Sequence, residues 1–233
     1  MIPIKTESAW RGTSDCRNCG IRDMVLFADL NEQDFNLIHA PIDDLVYQSG
    51  QPLYDESDKA LGVFTLRKGL VKLVRVTSDG RERVVRVLFP GDVVGLEALA
   101  TGRYDSQAVA LSEVSLCRIP LDVIHQLGAN SPRLHRKLME KWQSALKLAD
   151  DWLAELNFGS ARQRVQHFIY KMHEVSQDGT ATLFSRDDMG AMMDLKLETV
   201  SREVTSLVRA GVIVPIDKHG RNYRVMRPEL LNG

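Results

Sequence analysis

Between Leu45 and Pro120 the apolar residues come in short, partly alternating runs: "ALGVFTL", "GLVKLVRV", "RERVVRVLF" and "AVALSEVSLCRI". The breaks fall at "RKG", "SDG" and "PGD", which supply the Gly and Asp that tight turns need. Many short strands at this spacing predict a double-sheet β-roll or sandwich. A short helical lead-in, "LNEQDFNLIHA", precedes it, with Asn31 placed to cap.

After Asn130 the period changes to that of a helix. Ser131 suits an N-cap and Pro132 the first helical position, and no further Gly or Pro occurs before Gly159. Within this stretch Leu138, Trp142, Ala145, Ala149, Trp152 and Leu156 recur at alternating spacings of four and three, a heptad seam that predicts a homodimer through the helix. Met139, Leu146 and Leu153 lie beside the seam and widen the apolar surface. From Ser160 the pattern predicts a helix, the short strand "TATLF", the helix "RDDMGAMM", the turn "DLK", the helix "LETVSREVTSLVRA" and the hairpin "GVIVPIDKHGRNYRVM". Two helices joined by a short turn and followed by a hairpin make a winged helix-turn-helix. The fold class is therefore α+β, with an arm over residues 1–25, a roll over 26–130, a dimerisation helix over 131–158 and a winged helix-turn-helix over 159–233.

Composition narrows the class. The 233 residues carry a formal charge of −1, but Lys196–Pro228 holds seven Lys/Arg against three acids, a local basic excess that suits either a solvated face or the footprint of a nucleic-acid surface. The opening "MIPIKTESAW" lacks a leader pattern and no run is long and apolar enough to span a bilayer, so a cytoplasmic location is expected. A roll can also carry a metal-dependent enzyme, but Leu45–Pro120 contains no histidine, and the six histidines of the chain show no ligand spacing. At the N-terminal end of the second helix of the motif, Glu198, Ser201 and Arg202 share one face. Arg can bond guanine bidentately, Glu accepts from cytosine and Ser contacts either partner. Lys196, Lys218, Arg221 and Arg224 are candidates for phosphate contacts, which position the protein without reading sequence.

The stretch "DMGAMMDLKLETVSREVTSLVRAGVI", preceded by a roll containing "FPGDVVG" and by the long helix, resembles the CRP/FNR superfamily of bacterial transcription regulators from Cys16 to the end. "ETVSR" matches the E-x-x-S-R signature of the FNR branch, and Leu197 stands where the CRP branch has an arginine. The resemblance implies a homodimer on a palindrome of TTGAT half-sites, with RNA polymerase as a partner. The turn "TSDGRE" is similar to a polymerase-contacting loop of that superfamily.

The resemblance also frames the effector. Cyclic nucleotide would need an Arg-Ser pair, but "RYDSQAVAL" puts Asp105 before Ser106, with Arg103 two residues off. An FNR-type iron–sulfur cluster would take Cys16, Cys19 and Cys117. The place of its remaining arm cysteine holds Val25, which leaves Asp23 as a candidate oxygen ligand. Taken alone, Cys117 reads as a small buried hydrophobe. Haem remains a third possibility, and Ala149, where the FNR pattern has a seam acid, favours a dimer that forms without a cluster.

Overall fold

The computed structural model describes residues 26–30, 32–35, 38, 42–176, 178–218 and 220–232. They form two compact units, one made of the chain up to Arg75 with Val85–Lys147, the other of Val76–Val84 with Leu148–Gly233.

Helix α1 (Glu32–Phe35) leads into eight strands, which belong to the first unit apart from Val76 and Glu82–Val84: β1 (Asp43–Tyr47), β2 (Pro52–Tyr54), β3 (Gly62–Lys68), β4 (Val71–Val76), β5 (Glu82–Leu88), β6 (Val93–Val94), β7 (Gln107–Ala110) and β8 (Val114–Pro120). A short helix α2 (Ala98–Thr101) precedes β7. The strands form two four-stranded sheets, β1-β8-β3-β6 and β2-β7-β4-β5. Apolar residues of both sheets, among them Phe64, Leu66, Leu73, Val94, Ala108 and Leu116, meet between them. Strand β3 is buried on both faces. Phe64 and Leu66 point into the inter-sheet core. Val63 faces a second core built with Leu26, Phe27, Ile119 and the helix α3 (Leu121–Asn130). The sequence reading left α3 inside the roll as non-helical. Its ten residues present Val123, Ile124 and Leu127 to this second core, a pattern too short to stand out from a strand.

Helix α4 (Pro132–Leu156) begins where Ser131 caps it, the Ser131 Oγ accepting from the Leu134 N–H at 3.3 Å. Its N-terminal part packs Leu134, with Leu138 and Ala145, onto the second core of the first unit.

The second unit contains α5 (Ala161–Ser176), β9 (Thr180–Thr182), α6 (Arg186–Met193), α7 (Leu197–Arg209), β10 (Ile213–Pro215) and β11 (Asn222–Val225), the strands forming an antiparallel sheet in the order β10-β11-β9. Phe168 and Ile169 of α5, Met189 and Met193 of α6 and Val200, Val204 and Leu207 of α7 are buried, as are Trp152 and Leu156 from the end of α4. No helix among the described residues is long and apolar enough to cross a membrane.

Candidate nucleic-acid interface

Helix α6 starts from a reciprocal cap. The Ser185 Oγ accepts from the Asp188 N–H at 3.0 Å and donates to the Asp188 carboxylate at 2.7 Å. The helix ends at Asp194, whose φ of 54° places it in the left-handed region. The turn Asp194–Lys196 folds tightly back on α6, because Gly190 leaves room for it. A Cβ on Gly190 would stand 2.5 Å from the Leu195 carbonyl oxygen. Lys196 then caps α7 in extended conformation and is exposed.

Helix α7 divides into two faces. Val200, Val204 and Leu207 are buried, while Glu198 and Arg202 are exposed and Ser201 lies half-buried between them. Arg202 pairs loosely with its neighbour Glu203 (Nε to Oε1, 3.4 Å) rather than with Glu198, and its side chain stays 69% exposed. A pair this exposed contributes little and leaves the guanidinium available to another partner. The same stripe continues through Thr205 and Arg209, both exposed and four and seven residues beyond Ser201 and Arg202. The sequence reading stopped at Arg202, although the 198-202-205-209 spacing carries the signal.

Beside α7 stands the β10–β11 wing. Asp217 organises its tip by accepting from the Arg221 N–H at 3.2 Å, the Asn222 N–H at 2.8 Å and the Asn222 Nδ2 at 2.6 Å. Partial desolvation pushes this carboxyl up, but the hydrogen bonds outweigh it and hold the group below its ordinary 3.8. The side chains of Lys218, Arg221 and Arg224 are exposed around this hairpin. A shallow cavity of ≈ 400 Å³ runs between α7 and the wing, lined by Ser201, Thr205, Asp217, Lys218 and Arg186 among others. Arg186, which the sequence reading did not select, reaches this cavity from the start of α6 and donates to the Tyr223 hydroxyl at 3.0 Å.

Part of the expected dimer seam is covered by the chain itself. Leu138 and Ala145 pack on the first unit, and Trp152 and Leu156 are buried in the second. The large apolar side chains that α4 leaves exposed are Met139, Trp142, Leu146 and Leu153, with the half-buried Ala149 between the last two. Trp142 and Ala149 thus stay on the outer face, together with the stripe beside the expected seam.

Inside the roll, Tyr54 and Tyr104 stack with ring centroids 3.6 Å apart and planes within 10°. Asp105 is exposed, Ser106 is buried, and the Arg103 guanidinium is engaged with the Ser57 carbonyl at 2.6 Å, so it does not replace the missing phosphate-binding arginine. Glu97 lies half-buried nearby, and burial, reinforced by Asp105, raises its carboxyl above the ordinary 4.5. Two acids here oppose a phosphate. Cys16, Cys19, Asp23 and Val25 lie outside the described residues. Cys117 is 8% exposed in the second core, with its Sγ 3.6 Å from Asp44 Oδ1. Among the described residues no group of three or more His, Cys, Asp or Glu stands where it could hold a metal.

The cyclic nucleotide-binding domain family matches residues 44–131 and the Crp-like helix-turn-helix domain family matches residues 163–233. The chain is 26% identical to the fumarate nitrate reduction regulatory protein of Klebsiella oxytoca over 211 residues, 88% of this chain and 84% of that protein. It is 27% identical to the anaerobic regulatory protein of Haemophilus influenzae over 208 residues, 85% of this chain and 80% of the relative. Among solved structures it is similar to FixK2 from Bradyrhizobium japonicum, with a TM-score of 0.72 and 25% identity over 82% of this chain and 96% of that one. With a roll, a long helix and a winged helix-turn-helix whose outer α7 face is exposed, the chain belongs to the CRP/FNR family of DNA-binding transcription regulators.

Proposed function

We propose that the chain acts in the cytoplasm as a homodimer and inserts α7 of each protomer into the major groove of a TTGAT-type palindrome. The observation that carries this reading is the division of α7, with Glu198, Ser201 and Arg202 turned away from a buried Val200, Val204 and Leu207. Lys196, Lys218, Arg221 and Arg224 hold phosphates on either side of that helix. Met139, Trp142, Leu146, Ala149 and Leu153 form the dimer seam, an apolar stripe at alternating spacings of three and four. The exposed turn Thr77–Arg81 contacts RNA polymerase. The Asp79 carboxylate fixes it by accepting from Thr77 Oγ1 at 2.5 Å and Arg81 Nε at 2.7 Å.

The signal is oxygen or redox state, read through a thiol-held iron–sulfur centre on Cys16, Cys19 and Cys117 with a carboxylate as the remaining ligand. The names of the anaerobic and fumarate nitrate reduction relatives support this reading. When bound, the centre would supply an oxygen-labile charge and redox state, while the chain supplies soft thiolate donors and a buried strand position. The test is DNA binding by anaerobically purified protein before and after air exposure. A salt-sensitive preference for the TTGAT palindrome over a scrambled duplex is expected, together with a loss in air that follows loss of iron and sulfide. Equal affinity for both duplexes would refute the DNA reading, and air-insensitive binding by iron-free protein would refute the cofactor reading alone.

A further inference from the structure

Thr205 lies on the exposed face of α7, three residues past Arg202 and four before Arg209. Together with Ser201 it lines two hollows at once. One is the cleft between α7 and the wing, and the other is a shallow depression of ≈ 470 Å³ bordered by Ser201, Arg202, Thr205, Ser206 and Arg209. Residues common to both hollows form the ridge between them. The Thr205 hydroxyl is engaged within the helix. Its Oγ1 donates to the Ser201 carbonyl at 2.8 Å, so its proton serves the backbone and the Cγ2 methyl is the group left to meet a partner.

Packing within the chain gives no reason for threonine at this position. A β-branched residue is disfavoured in a helix, and bonding back to the carbonyl four residues earlier weakens the helix slightly further. The methyl does have a counterpart in DNA. Thymine presents its C5 methyl in the major groove, and an apolar side-chain group such as the threonine methyl is its complement. Three residues of helix rise about 4.5 Å, a little more than the roughly 3.4 Å between base pairs. With Arg202 on a guanine, Thr205 therefore falls opposite the adjoining pair. A TTGAT half-site has a single G·C pair with an A·T pair on each side, so the adjoining pair carries a thymine methyl whichever way α7 runs. Arg209, about 10.5 Å past Arg202, is at the C-terminal end of the helix, away from the end that reaches base edges.

We propose that Thr205 is a specificity-determining residue, reading through its Cγ2 methyl the C5 methyl of the thymine that adjoins the guanine in each half-site. This rests on the placement of α7 in the major groove of the palindrome proposed above, and it adds an apolar contact to the polar ones of Glu198, Ser201 and Arg202. Because the contact carries no charge, its loss leaves the salt dependence of binding unchanged.

The test pairs one methyl on the protein with one on the DNA, read by anaerobic fluorescence anisotropy with the full-length chain. Duplexes carry deoxyuridine, which lacks only the C5 methyl, at one or the other thymine adjoining the guanine, in both half-sites. At one of these two positions wild type is expected to weaken about fourfold per half-site, the equivalent of one buried methyl group. Thr205→Ser keeps the hydroxyl and loses the methyl. It is expected to show that weakening already on the thymine duplex and no further loss on uracil. Thr205→Val keeps a methyl and loses the hydroxyl, and is expected to behave as wild type on both. Each comparison of thymine with uracil is made within one protein, so any loss of folded fraction cancels. Wild type that binds both uracil duplexes as tightly as thymine would overturn the assignment while the DNA reading stands. So would a Thr205→Ser protein with wild-type sensitivity to uracil, or a Thr205→Val protein as weak as Thr205→Ser on the thymine duplex. Wild type with no preference for the thymine palindrome over a scrambled duplex would overturn the DNA reading and this contact with it.

Discussion

Gly190 offers a prediction whose sign depends on which of two effects is larger. Replacing it by Ala adds a methyl inside α6, where Ala is favoured over Gly by about 0.8–1.0 kcal/mol. The new Cβ would stand 2.5 Å from the Leu195 carbonyl oxygen and 3.6 Å from its carbon. Relief to an ordinary carbon–oxygen approach requires a shift of about 0.8 Å. The obstacle is backbone, and it is tied to α6 by the Leu195 N–H donating to the Gly190 carbonyl at 3.0 Å. Overpacking of this kind costs about 1–3 kcal/mol, occasionally more, and a hydrogen bond lost in the shift adds about 1 kcal/mol. The clash outweighs the propensity, leaving Gly190→Ala less stable by about 1–3 kcal/mol. For a domain of the size spanned by Leu148–Gly233 that is a fall in Tm of roughly 4–20 °C. Gly128→Ala is the control. It is also helical, but nothing lies within 4 Å of the added methyl, so it should gain up to about 1 kcal/mol. Calorimetry of both variants, with fluorescence anisotropy on the palindrome, reads the result. Gly190→Ala should also bind DNA more weakly, because the turn that aims α7 has moved. A Gly190→Ala protein that melts at or above the wild-type temperature would refute the reasoning.

Arg202→Ala should cost about 1–3 kcal/mol on the cognate site and relax preference at one base pair, whereas Arg221→Ala should weaken all sequences alike and make the salt slope shallower by about one unit; titrations on two duplexes at several salt concentrations separate them. Leu146 is 64% exposed, so Leu146→Glu should yield a monomer by light scattering without lowering unit stability, while Trp152→Ala, at a buried position, should cost about 3–5 kcal/mol in thermal unfolding. Burial raises the Glu97 carboxyl above 4.5, so the unfolded chain ionises first as pH rises, and stability falls from about that pH until the folded group has ionised. Glu97→Gln should therefore raise Tm at pH 7 but not at pH 4, and the opposite ordering in pH-dependent melts would exclude the burial argument.

The winged helix-turn-helix was legible because its signals are local. The Ser185–Asp188 cap, the "DLK" turn and the α7 stripe each lie within a few residues of sequence. Long-range information was not legible. Asp44 lies 73 residues from Cys117, and only the pairing of β1 with β8 brings the carboxylate to the thiol. Which stripe of α4 the chain covers was hidden for a related reason. Helix α4 carries two adjacent apolar stripes, and periodicity does not say which one the chain itself covers. Helix α3 was hidden because "LDVIHQLGAN" is barely three turns long and follows a strand without a polar break.

The stacked tyrosines of the roll have a thermodynamic corollary. A ligand stabilises a fold only by binding it better than the unfolded chain, by an amount that grows with ligand concentration. Where Tyr54 and Tyr104 already lie face to face at 3.6 Å, and Gly95 is the residue that lets Tyr104 approach so closely, each ring supplies the other's stacking partner from within the chain. That internal partner is always present, so its occupancy does not vary with the state of the cell. The melting temperature of the roll should accordingly be the same in buffer and in millimolar cyclic nucleotide.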